Sequence, residues 1–197
     1  MFSTLKNAFK IKEIRGKLLF TFLMLVVIRF GSQLPIPGVN RDYFASWFEA
    51  QTGGAFNFFD AFTGGSFSRM SVFALNITPY ITSSIIMQLL TIAIPKLEEM
   101  QKDGEDGRKK IASITRYVTI ALALIESAAM AIGFGNQGLL QKYGPLEIIT
   151  VVAVLTAGSA FLMWIGERIT EKGVGNGISI VLVINIISRL PDDFAKL

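Results

Sequence analysis

Five mainly apolar runs divide this 197-residue sequence, at about 18–34, 72–94, 111–134, 146–165 and 178–190. A bilayer core takes about 20 apolar residues per helix, because a backbone surrounded by lipid must pair its own N–H and C=O groups. The runs therefore predict an all-α integral membrane protein of five transmembrane helices. The fifth run is short, so its span needs extra turns from the Gly175-Asn176-Gly177 entry or protein cover at its ends. A hydrophobic content of 51%, against 17% charged residues, agrees with lipid as the main solvent. Cleavage of the first run as a signal peptide is not expected, since it carries Arg29 and leads into Pro35 and Pro37 without a small-residue cleavage site.

Basic residues accumulate on the cytoplasmic side of membrane proteins. Lys6, Lys10, Lys12, Arg15 and Lys17 precede the first run, and Lys96, Lys102, Arg108, Lys109 and Lys110 lie between the second and third. The longer stretch from Pro35 to Ser71 holds only Arg41 and Arg69, while Arg168 and Lys172 follow the fourth run. This pattern predicts a cytoplasmic N-terminus, with Leu197 outside. Short basic clusters beside apolar runs, without a continuous basic face, give no reason to expect direct contact with nucleic acid. The segment from Pro95 to Lys110 also holds Glu98, Glu99, Asp103, Glu105 and Asp106, and reads as a solvated hairpin or a contact for a cytosolic partner.

The sequence has no Cys and no His. That removes disulfides, thiolate and imidazole metal sites, and nucleophilic chemistry by either side chain, so no enzyme activity, metal or cofactor is expected. Glu126 lies deep in the third run, where an ionisable group needs water, a partner or a proton. It predicts either a cavity lining or a structural hydrogen bond, and it keeps open a rival reading as half of a secondary transporter with a midplane site. Arg29, towards the outer end of the first run, can snorkel or meet helix-terminal carbonyls.

Two further features stand out. Ile77, Ile81, Ser84, Gln88 and Thr91 recur at helical spacing and predict a face turned from lipid, or a simple packing seam. Pro79 is expected to kink that helix by removing the bond to Leu75. Between the first two runs, Phe56-Asn-Phe-Phe-Asp-Ala-Phe62 sits between Gly53, Gly54 and Gly64, Gly65. It is too short to cross and too aromatic for a free loop, which leaves a re-entrant helix or an amphipathic helix on the outer surface.

Three stretches carry a resemblance: Arg29-Phe-Gly-Ser-Gln-Leu-Pro-Ile-Pro-Gly38, the segment from Phe73 to Leu90 around Asn76-Ile-Thr-Pro-Tyr80, and Met163-Trp-Ile-Gly-Glu-Arg168 continuing to Gly175-Asn-Gly-Ile-Ser179. In these the chain resembles the N-terminal half of the SecY family. The resemblance implies one half of a pseudo-symmetric ten-helix channel, used for Sec-dependent secretion and membrane-protein insertion. It implies a pore ring of Ile77, Ile81, Ile178 and Leu182, with Leu182 standing where Ile is familiar. It places a plug at about 56–65, with Phe56, Phe58, Phe59, Phe62, Gly64 and Gly65, and so favours the re-entrant helix. Gln88 and Glu126 are implied in the polar lining of a lateral gate, Glu126 departing from an amide common there in some bacterial members. The implied partners are the remaining SecY half, SecE- and SecG-like subunits, a SecA motor or ribosome, clients bearing signal sequences, and lipid. The implied location is the bacterial inner (plasma) membrane.

Overall fold

The computed structural model describes residues 11–50 and 55–194; Lys6, Lys10, Gly53, Gly54 and Leu197 lie outside the described residues. Its elements are α1 (Lys12–Gly31), α2 (Arg41–Ala50), α3 (Ala55–Thr63), α4 (Thr78–Ala93), α5 (Pro95–Lys102), α6 (Gly104–Asn136), α7 (Pro145–Lys172) and α8 (Gly177–Phe194). Two of them, α6 and α7, are long and apolar enough to cross a bilayer, and the bent pair of α4 and α5 makes a third if taken as one span. α1 covers the first apolar run but also holds Lys12, Glu13, Arg15, Lys17 and Arg29. The apolar stretch of α8 is the shorter Gly177–Arg189. Exposed Phe22, Phe30, Ile92, Ile125, Ile149 and Val183 are awkward in water and ordinary against acyl chains.

The helices divide into two compact units. The first contains the chain through Pro35, Arg41–Ala74 and everything from Phe161. The second contains Ile36–Asn40 and Leu75–Ala160.

In the second unit, α4 begins later than the apolar run suggests. Residues before it form turns, Asn76 takes a left-handed φ of 54°, and Pro79 occupies the first turn of the helix. The expected kink is therefore a helix start. Proline fits there because its missing N–H is one that an α-helix leaves unbonded at its N-terminus anyway. At the other end Ile94 is extended, as a residue before proline prefers, and α5 departs at 103°. α5 packs on the start of α6 after the turn at Asp103 and Gly104, so the charged segment is a helical hairpin whose Lys, Arg, Asp and Glu side chains are exposed.

Hydroxyl pairs join the long helices of this unit. Ser83 of α4 meets Thr119 of α6 at 2.5 Å between fully buried oxygens. Ser127 of α6 meets Thr156 of α7 at 3.0 Å. Small polar residues at such seams let helices approach and bond where lipid offers no hydrophobic drive to pack. Thr119→Val removes one such bond at nearly constant volume. It should cost about 1 kcal/mol, read as a lowered melting temperature of the solubilised full-length protein.

In the first unit, α2 is an amphipathic helix with Phe44 and Phe48 buried one turn apart. Phe73 stacks on Phe161 at 6.2 Å. The end of α7 and the start of α8 approach at Gly177, where a Cβ would lie 2.0 Å from the Gly166 carbonyl oxygen. No residue with a side chain fits there without moving one helix.

Candidate functional site

The site is assembled in the first unit around α3. Its nine residues reach about 14 Å, less than half of a bilayer core. Phe59 meets Phe67 edge-on at 5.2 Å, Phe56 meets Trp47 at 5.7 Å, and Phe58 packs on Phe62 at 4.7 Å. Edge-to-face rings bring attraction beyond their buried area. Burial is nonetheless incomplete, because Phe56 is 39% exposed and Phe58 67% exposed. The expected cost of leaving these rings in water is met only in part by Phe67 and Trp47.

The turn after α3 is built by its own polar atoms. Thr63 Oγ1 donates to the Asp60 carbonyl and accepts from Phe67 N–H, and Asp60 Oδ1 accepts from Ser68 N–H at 2.7 Å. Gly64 and Gly65 take φ values of 64° and 77°, the left-handed region that glycine enters without strain. Gly64 has a second constraint: a Cβ on it would lie 2.7 Å from the Asn185 carbonyl oxygen, and 3.0 Å from both Arg29 Nη1 and Ser188 Oγ. α3 thus lies against α8, with the end of α1 reaching the same turn.

Asp60 and Arg189 form an ion pair between α3 and α8. Asp60 is fully buried, and the Arg189 side chain is 19% exposed. Neither was singled out in the sequence. The available signal was a lone carboxylate inside an aromatic segment and a lone cation near the end of an apolar run.

Of the expected ring residues, Ile77 and Ile81 belong to the second unit and Ile178 and Leu182 to the first. Ile77 is buried and caps the N-terminus of α4 instead of lying within it, and its carbonyl accepts the Ile81 N–H at 3.1 Å, one turn on. Ile178 and Leu182 occupy the first two turns of α8, both partly exposed, with Ile178 Cδ1 closing on Gly166 of α7.

The expected gate residues are not neighbours. Gln88 is exposed at a crevice of about 160 Å³ in the second unit, with Tyr80, Ser84 and Thr91 of α4, Gln101, and Thr115 of α6. Glu126 is partly exposed and sits farther along α6 than Thr115, by about 16 Å at 1.5 Å per residue. Among the described residues no cluster of three His, Cys, Asp or Glu could hold a metal ion.

The sequence pattern of the SecY family matches residues 71–197. The protein translocase subunit SecY of Halalkalibacterium halodurans is 46% identical over 195 residues, covering 98% of this chain and 45% of that protein. The subunit of the same name from Bacillus subtilis is 45% identical, covering 100% and 46%. That from Pseudomonas aeruginosa is 44% identical, covering 92% and 41%. The chain thus spans less than half the length of these relatives. Among solved structures, Sec61 in the canine ribosome–channel complex from the endoplasmic reticulum aligns with a TM-score of 0.61 and 22% identity, covering 89% of this chain and 36% of that one. A structure described as that of a protein conducting channel aligns with the same values. At this identity the two structures speak for the fold alone.

Proposed function

Because the chain belongs to the SecY family, we propose that it forms one half of a protein-conducting channel subunit of five spans, α1, α4, α6, α7 and α8, with α3 as its plug. The observation that carries the reading is α3 itself, an aromatic helix too short to cross, packed on the apolar helix α8. The transporter alternative has no comparable support, since the relatives are translocase subunits.

The channel works by solvent exclusion. Ile77, Ile81, Ile178 and Leu182 form a branched apolar ring at which a small ion cannot regain its hydration and water withdraws. An extended polypeptide fills the same ring, because apolar side chains accept many shapes without specific hydrogen bonds. Tightness matters, as each charge crossing 100 mV dissipates about 2.3 kcal/mol. Apolar client segments leave sideways into lipid by partition, past a gate to which Gln88 and Glu126 contribute. The channel does no chemistry, and the driving force comes from a motor or ribosome.

The chain sits in a bacterial plasma membrane with its N-terminus inside, consistent with bacterial relatives and with the basic residues before α1 and around α5. Its partners are the second half of the subunit, SecE- and SecG-like subunits, and clients bearing signal sequences.

A cysteine replacing Phe59 tests the plug. In vesicles holding the full-length protein and its subunits, Phe59→Cys should resist an external thiol reagent at rest. It should react while a secretory precursor moves into a protease-resistant state. Equal labelling in both conditions would assign α3 to the membrane surface instead.

A further inference from the structure

We propose that Asp60 and Arg189 are positioning residues whose ion pair fastens α3 to the end of α8 and keeps the channel shut until a client arrives. The inference rests on the plug reading of α3 given above.

Three observations lead to it. First, Asp60 is the only charged residue of α3, and it is fully buried. Its Oδ1 accepts the Ser68 N–H at 2.7 Å and its Oδ2 faces the Arg189 guanidinium, so both oxygens are engaged. Second, the pair joins two elements distant in sequence, whereas the bonds of Thr63 and Ser68 lie within one short stretch and travel with α3. Third, within this half of the subunit the rings do not cover α3 completely, since Phe58 projects with 67% of its surface exposed.

A charge pair suits a latch because its strength depends on its surroundings. Attraction between opposite charges is large away from water and small in it, so the pair holds well while closed and little once water enters. Removing the Arg189 cation leaves the fully buried Asp60 carboxylate without it, which penalises the closed arrangement and not the open one. Gly64 keeps the joint tight, with the Asn185 carbonyl and the Ser188 hydroxyl where a side chain would stand. A client that displaces α3 parts this pair and lets both groups hydrate.

The test uses the full-length channel with its subunits in planar bilayers and vesicles. Asp60→Asn preserves shape and an acceptor for Ser68, and Arg189→Gln removes the cation. Each should raise resting ion conductance about tenfold, because each removes the attraction between α3 and α8 and Arg189→Gln also strands the buried Asp60 carboxylate. Arg189→Lys, which keeps the cation, should hold conductance within about twofold of the parent, as a charge pair requires. Precursor uptake by the same vesicles reports that each variant is assembled. Parental conductance in both Asp60→Asn and Arg189→Gln, with uptake intact and Phe59→Cys still switching, overturns the latch and leaves the plug standing. An Arg189→Lys variant as leaky as Arg189→Gln also overturns it, since the leak then does not follow the charge. Failure of Phe59→Cys to switch in the parent background overturns the plug reading itself.

Discussion

Replacing Ile77, Ile81, Ile178 and Leu182 together with Ser in the assembled channel should raise resting ion conductance about a hundredfold, which corresponds to removing roughly 2.7 kcal/mol from the barrier. The effect comes from water. In the proposed ring, four branched apolar chains would leave water without hydrogen-bond partners, so that an ion entering it would lose hydration. Four hydroxyls keep the passage wet at smaller volume. The substitutions should act unequally, because Ile178 also closes on Gly166 of α7 and Ile77 is buried at the cap of α4. Single changes at Ile81 and Leu182, both partly exposed, test the lining with least damage to packing. Bilayer recordings in which the fourfold variant leaks no more than the parent would remove the ring from the proposal.

Gly64→Val should displace α3 without any client, by on the order of 3 kcal/mol, or about a hundredfold in the balance between docked and undocked helix. The backbone strain of a branched residue at a φ of 64° travels with the turn, so the cost that separates docked from undocked helix is the Cβ, which would stand 2.7 Å from the Asn185 carbonyl oxygen. That oxygen belongs to the backbone of α8 and cannot swing aside as a side chain would. Gly65→Ala supplies the comparison. Its φ of 77° brings similar strain, but no atom lies within 4 Å of the added carbon, so only the strain of about 1–2 kcal/mol remains. Reaction of the Phe59→Cys reporter with external reagent at rest should therefore be strong with Gly64→Val and weak with Gly65→Ala. Equal reactivity in the two would show that contact with α8 does not hold α3.

The all-helical membrane class was legible because α6 and α7 carry apolar runs longer than a soluble core requires. Detail failed where local chemistry competes with hydropathy. Pro79 looked like an interruption, since the apolar run continues before it, yet the left-handed Asn76 and the turns around it end that continuity and make proline a helix opener. The amphipathic α2 went unread because Phe44 and Phe48 mark only one short face within a stretch that resembles a loop. The aromatic segment was legible as a helix that cannot span. Its fastening was not, because nothing in a sequence couples Asp60 to Arg189 until the fold brings α3 onto α8.

The late start and early end of α4 bear on how the protein is made. Sixteen residues give about 24 Å, short of a core of about 30 Å, and proline bounds the helix on both sides. A nascent chain that has delivered only α4 offers the bilayer a stub bearing Ser83 and Thr91, whose hydroxyls favour protein over acyl chains. Ser83 can meet Thr119 only after α6 has followed α4 into the membrane, so closing this seam is expected to be a late step in the making of the pair.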